Sequence, residues 1–184
     1  ICGYKFAGEE YVLEFEDTFT WDLPADKSKI IGLNTGCGSR WVSRLWKDEY
    51  WIELIKMLQK AGYQPLLLGG EQEHEKNSMF AEKTGATYFG YFNMKKFMSL
   101  VNNCSTVVTA VTMGMHIAIG LKKKLVLMNN IFNAKEFELY GRGMIVKPEK
   151  KCTCFFSPSC KNEEYFCLDS LTPNMIFEAI EKVN

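Results

Sequence analysis

Three short loops carry residue types suited to an anionic ligand. The first reads Asn34-Thr35-Gly36-Cys37-Gly38-Ser39-Arg40-Trp41-Val42-Ser43-Arg44. Gly36 and Gly38 let backbone N–H groups come close to an anion. Arg40 and Arg44 could neutralise a diphosphate, since a guanidinium fork matches phosphate oxygens. The pattern is neither a Walker loop nor GxGxxG, and a tight turn with solvated arginines fits it equally well. The second loop is Gly69-Gly70-Glu71-Gln72-Glu73-His74-Glu75. A carboxylate here could accept from ribose hydroxyls. Glu71 and Glu75 read as a solvated first helical turn, where acids complement the helix dipole; Glu73 stays open between the two roles, and His74 reads as a surface histidine. The third loop, Thr109-Ala110-Val111-Thr112-Met113-Gly114-Met115-His116, leads into a helix whose free N–H groups attract anions. Thr112 can cap that helix and Gly114 allows close approach. His116 lies one turn inside an apolar helix, either as a hydrogen-bonded core histidine or as a ligand-facing one.

Four of the seven cysteines crowd into sixteen residues: Cys152, Cys154, Cys160 and Cys167. Four thiolates suffice for a tetrahedral zinc, although the spacing is not the usual CxxC…CxxC. An iron–sulfur cluster, redox disulfides or four unligated thiols in a packed loop remain open. The other three, Cys2, Cys37 and Cys104, are scattered. A reduced, cytoplasmic chain with one local cluster is expected rather than a secreted disulfide scaffold.

These loops need a frame, and the hydrophobic pattern supplies one. Residues 29–34, 65–68, 106–111 and 124–128 are short apolar runs, which read as buried strands. Trp51, Leu54, Ile55 and Leu58 mark one face of a helix over residues 48–61, with Gly62 where a C-terminal cap belongs. Residues 71–84 read as a polar helix with Met79 and Phe80 inward. Met94, Phe97, Met98 and Val101 give another helix. Residues 114–121 are apolar nearly all round and read as a buried helix. Thr172 and Pro173 are N-cap and first position of a last helix, with Ile176, Ala179, Ile180 and Val183 inward. Alternating strands and helices with short connections imply an α/β fold, a parallel sheet covered on both faces. Such sheets bind ligands at the carboxyl ends of their strands, where the strand order reverses, and that is where the three loops lie. Residues 1–28 alternate weakly (Tyr11, Leu13, Phe15) and then turn polar, which reads as a short strand and a linker.

The chain has 184 residues, 47% of them hydrophobic, enough for a sizeable core and against disorder. Twenty-two basic residues balance 22 acidic ones, which argues against a nucleic-acid or polybasic membrane partner. No apolar run approaches the roughly 18–20 residues of a membrane span, so membrane association is peripheral at most. The opening residues lack a signal-peptide pattern. With no initiator Met, the chain is expected to be part of something larger.

The stretch IGLNTGCGSRWVSRLWKDEYWIELIKMLQKAGYQPLLLGG, followed by VNNCSTVVTAVTMGMHIAIGLKKKLVLM, FELYGRG and the cysteine cluster, resembles the C-terminal domain of glycosyltransferase family nine, the ADP-heptose:lipopolysaccharide heptosyltransferases. The resemblance covers about residues 29–184, and residues 1–28 are similar to the segment linking the two domains of such enzymes. It implies a Rossmann-like three-layer domain, the C-terminal half of a two-domain B-type glycosyltransferase. That half holds an ADP-sugar donor; a missing N-terminal half would hold the glycan or lipid-linked acceptor and the catalytic base. The 184 residues alone are then expected to be inactive. By position, the resemblance places Thr35, Gly36, Cys37, Arg40 and Arg44 at the donor phosphates, Glu73 near the ribose, and Phe92 and Met94 beside the adenine. It places Thr112, Gly114 and His116 where the diphosphate and sugar are received. It implies work in lipopolysaccharide or other cell-envelope polysaccharide assembly. No DxD-type motif is present, so no metal is expected in transfer, and any zinc at the cysteines would be structural. One departure stands out: Val111 occupies the place of an aspartate that contacts the donor sugar in the family. Valine cannot accept from sugar hydroxyls, which leaves a non-catalytic nucleotide-sugar-binding or scaffold protein as the alternative.

Overall fold

Apolar runs flanked by glycine-rich loops become strands buried on both faces. In the computed structural model, which describes residues 3, 5 and 7–184, β1 (Ile30–Asn34), β2 (Gln64–Leu68), β3 (Thr106–Ala110), β4 (Lys124–Met128) and β5 (Gly143–Val146) form one sheet. Its order is β2-β1-β3-β4-β5 and every pairing is parallel. The order reverses between β1 and β3, which share Leu33 opposite Val108.

Successive strand residues point to opposite faces, so each strand feeds two cores. Ile31, Leu33, Leu67, Val108 and Val126 meet α1 (Asp48–Lys60), α2 (His74–Thr84) and α5 (Pro173–Val183). Ile30, Leu66, Val107, Leu125 and Leu127 meet α3 (Met94–Asn103) and α4 (Met113–Gly120). In α1 the buried residues are Trp51, Leu54, Ile55 and Leu58, the four the spacing selects. Thr172 caps α5 by accepting from Met175 N, with Pro173 in the first turn.

The fold departs from the sequence reading in four places. β5 was not anticipated; it is a four-residue edge strand, half-buried throughout. The polar helix begins as a 3-10 turn, Glu71–Glu73, before α2. On α3 the buried positions are Ser99, Leu100, Val101 and Asn103, while Met94 is 45% exposed. Residues 11–23 form no strand. Their alternation is nevertheless real: Leu13, Phe15, Asp17, Phe19, Trp21 and Leu23 are half-buried between exposed neighbours. They make an extended strap over α3 and α4. Leu13 N donates to Gly120 O at 2.9 Å, Trp21 Nε1 to Ser99 Oγ at 2.8 Å, and Ser99 Oγ to Asp17 at 2.6 Å. Ser99 is buried because the strap supplies both of its partners. Ile1, Cys2, Tyr4 and Phe6, the start of the expected linker, lie outside the described residues.

Candidate functional site

A cleft of ≈ 500 Å³ opens at the carboxyl ends of β1, β2 and β3. Its walls come from the three loops singled out in the sequence: Gly36, Cys37 and Arg44, then Gly70 and Glu73, then Thr112 and Gly114. That volume suits a nucleotide-sized ligand.

A polar ladder sets the floor. Asn34 Nδ2 donates to Thr109 Oγ1 at 2.9 Å and to Thr112 Oγ1 at 3.1 Å, crossing the point where strand order reverses. Thr112 Oγ1 accepts from Gly114 N at 3.1 Å and so caps α4. Thr35 is buried; its Oγ1 donates to Asn77 Oδ1 at 2.6 Å, and Asn77 Nδ2 donates to Leu68 O at 3.2 Å. The first loop is thereby fixed to β2 and α2. Lys76 Nζ donates to Thr35 O at 3.0 Å and adds a cation beside the cleft. Asn34, Lys76 and Asn77 were missed in the sequence. An asparagine ending an apolar strand, and polar residues at i+3 and i+4 from Glu73, were the available signals.

Gly36 is required by the contact it makes. A Cβ there would overlap the carboxylate of Glu73, and one at Gly69 would lie 2.7 Å from Glu73 Cβ. Glu73 Oε2 accepts from Gly70 N at 2.9 Å. The glutamate therefore lies across two glycines on the cleft wall.

Arg44, on the 3-10 turn Val42–Arg44, is only 7% exposed. Its Nη2 donates to Cys37 O at 2.7 Å, its Nη1 to Val111 O, and its Nε is buried without a partner. The guanidinium carbon lies 5.4 Å from the ring centroids of both Trp41 and Phe132. Burial lowers its pKa, opposed by the Cys37 thiol, while burial first of all raises that of Cys37. Among the described residues no carboxylate pairs with Arg44. A desolvated cation held by carbonyls and facing a cleft is an incomplete charge system that an anion can complete.

Five site expectations fall outside this cleft. Thr35 is buried beneath it, with its N–H donating to Leu68 O at 3.3 Å. Arg40 is exposed and sits over Trp41 at 5.6 Å. Phe92 packs against Trp21 at 5.3 Å beneath the strap. Met94 points to solvent at the start of α3. His116 is exposed, not buried as one reading had it; it shares the outer face of α4 with Met113, three residues earlier and 57% exposed. It lines a separate groove of ≈ 220 Å³ with Tyr11, Phe137 and Tyr140.

The cysteine loop lies against the arginine turn. Ser43 N donates to Pro158 O at 3.0 Å and Ser43 Oγ to Ser157 O at 2.6 Å. Cys37, Cys104, Cys152, Cys154, Cys160 and Cys167 are all free thiols. The Sγ atoms of Cys154 and Cys160 are 3.8 Å apart. Burial first, then the adjoining Cys167, pushes Cys152 up to about 12. Among the described residues no three or more His, Cys, Asp or Glu side chains are gathered as a formed metal site, and no helix is long and apolar enough to cross a membrane.

A parallel sheet with a cleft at its switch point defines a Rossmann-like α/β domain. The model of glycosyltransferase family 9 (heptosyltransferase) matches residues 13–165, and the chain belongs to that family. No curated protein matches it in sequence. Among solved structures it is similar to the E. coli ADP-heptose LPS heptosyltransferase II, with a TM-score of 0.67 and 20% identity over 86% of this chain and 47% of that one. It is also similar to E. coli heptosyltransferase WaaC with ADP-2-deoxy-2-fluoro heptose, at 0.69 and 18%, over 89% and 46%. A third is the family 9 glycosyl transferase of Veillonella parvula, at 0.63 and 19%, over 84% and 45%. At these identities the likeness is one of fold. The chain spans about half the length of each.

Proposed function

We propose that this domain binds the ADP-sugar donor, ADP-heptose in the first instance, of a glycosyltransferase that assembles lipopolysaccharide or a related envelope polysaccharide. The observation that carries the reading is Arg44, buried, cationic and paired with no carboxylate among the described residues, at the edge of a nucleotide-sized cleft. The diphosphate lies against the backbone of residues 36–38, the start of α4 and Arg44. Glu73 faces the ribose. When the sugar's anomeric bond breaks, negative charge builds on the departing diphosphate, and fixed N–H dipoles with Arg44 stabilise it. No metal takes part in this account of transfer. A cytoplasmic location goes with a nucleotide-sugar donor. The glycan or lipid-linked acceptor and the base that deprotonates it belong to the other half of a two-domain enzyme. E. coli heptosyltransferase WaaC, similar in fold, was solved with ADP-2-deoxy-2-fluoro heptose, which supports the choice of donor.

The reading is tested by displacement of a fluorescent ADP analogue from the purified chain. ADP and ADP-heptose should displace it, and AMP should do so at least about tenfold less well, because the β-phosphate is the group Arg44 holds. Equal displacement by adenosine, AMP and ADP would sink the diphosphate assignment.

A further inference from the structure

α4 serves two cavities. Met113 and Gly114, in its first turn, line the cleft; Met115, His116 and Ile119, further along it, line the groove of ≈ 220 Å³. The groove has an apolar floor, made by Met115, Ile119 and the Phe137 ring. Its rim is polar. Among the described residues, neither the His116 ring nitrogens nor the Glu136 carboxylate meets a hydrogen-bond or ion-pair partner. The Tyr140 hydroxyl accepts from Tyr11 N at 3.2 Å, which leaves its own proton to donate. Glu138 lines the same rim, and one of its oxygens accepts from Tyr140 N at 2.7 Å.

The wall opposite α4 is firmly held. Tyr11 belongs to the strap, which is pinned on either side of it: Glu10 pairs with Arg142 at 3.0 Å, and Leu13 N donates to Gly120 O at 2.9 Å. The Arg142 guanidinium in turn lies 5.3 Å from the Tyr140 ring centroid. The strap, α4 and the segment between β4 and β5 thus form the groove before any ligand arrives, which spares the ordering cost of binding.

The lining selects a class of ligand. Among the described residues no lysine or arginine lines the groove, while two glutamates do, so phosphates and acids are repelled. An apolar floor takes the C–H face of a ring. Carboxylate oxygens, imidazole nitrogens and a phenol O–H around it exchange hydrogen bonds with several hydroxyls. That is the chemistry of an uncharged sugar ring. At ≈ 220 Å³ against ≈ 500 Å³ for the cleft, the groove suits one such residue rather than a nucleotide. Ile119 lies six positions beyond Met113, about 9 Å along the helix axis. A sugar bonded to a diphosphate at the start of α4 lies over Met113 and leaves the groove free.

We propose that this groove binds a second saccharide residue, one that belongs to the acceptor glycan, so that this domain grips the acceptor beside the sugar being transferred. The assignment to the acceptor rests on the cleft being the donor site; the sugar site stands without it.

The chain has two histidines, His74 and His116, so the imidazole proton resonances of the full chain report on the groove, and His116→Gln assigns them. Methyl α-mannoside, methyl β-galactoside and N-acetylglucosamine are titrated separately. At least one should shift the His116 resonances with a Kd of about 1–10 mM and leave those of His74 unmoved. Glu136→Gln, at an exposed position, should weaken that binding about fivefold and leave ADP affinity unchanged. Saturating ADP-heptose should leave the sugar-induced shift in place. Displacement of the sugar by ADP-heptose but not by ADP would put the donor's own sugar in the groove and overturn the second-saccharide claim. His116 resonances indifferent to all three sugars, or moved only by an ammonium probe such as ethanolamine, overturn the sugar site. If neither ADP nor ADP-heptose binds, the donor reading and the assignment to the acceptor fall together, and the sugar titration still decides the site.

Discussion

The guanidinium of Arg44 donates to the carbonyl of Val111, so the loop after β1 and the loop after β3 are joined by one side chain across the point where strand order reverses. The second nitrogen reaches Cys37 O at 2.7 Å. Arg44 thus ties together two loops that wall the cleft and also brings a positive charge to it.

Arg44→Ala removes both functions. ADP affinity should fall by about 10- to 100-fold, the equivalent of about 1.5–3 kcal/mol for a hydrogen bond to a charged group. Arg44→Lys keeps the charge but cannot bridge two carbonyls, and should fall between. Titration at low salt measures both without screening.

Gly36→Ala drives a methyl group into the Glu73 carboxylate. Overpacking of this kind costs about 1–3 kcal/mol, and the displaced glutamate should intrude on the cleft and weaken ADP binding. Gly36→Ala combined with Glu73→Ala should recover the lost thermal stability. Melting curves of the three variants show whether the collision is relieved.

Val111 is half-buried and packs against the core below α4, while its carbonyl serves Arg44. Val111→Asp keeps the carbonyl and puts an acceptor beside Thr112, which lines the cleft. The affinity of ADP-heptose relative to ADP should rise about fivefold, one hydrogen bond of about 1 kcal/mol. Some stability should be lost with the apolar contact. Competition between the two ligands in wild type and variant measures the ratio.

Acid should loosen the strap. Burial raises the pKa of Asp17, but hydrogen bonds from Ser99, Asn102 and Phe19 N together outweigh it, and the value lies below the ordinary 3.8. A carboxyl with a depressed folded pKa adds stability that is complete above its unfolded value and is lost as pH falls through the folded one. Melting temperature should therefore drop more in wild type than in Asp17→Asn between neutral pH and pH about 3. Parallel curves would show that Asp17 contributes nothing to strap docking.

Much of the frame is legible in the sequence because two periods are clean. The four buried residues of α1 repeat at helical spacing, and β1 to β4 are apolar runs too short for helices. β5 escapes because Gly-Met-Ile-Val at a sheet edge has neither length nor full burial. α4 is recognisable as a helix but not orientable: apolar residues surround it, so nothing tells that His116 faces outward. Arg40 and Arg44 are equivalent on paper. Only the turn at residues 42–44, held by the cysteine loop, sends one inward and leaves the other on Trp41. Ser99, on α3, and Asn77, on the polar helix, look like surface residues and are buried because distant segments, the strap and the first loop, supply their hydrogen bonds. Such pairings have no local signature.

The most direct test of the account is a calorimetric titration of the folded chain and its Arg44→Ala variant with ADP. The account predicts one site per chain, affinity that weakens as salt is raised, and a loss of about tenfold or more in the variant. A folded wild-type chain that takes up no ADP, or one that binds it as tightly without Arg44, would contradict the claim that this cleft is a diphosphate site.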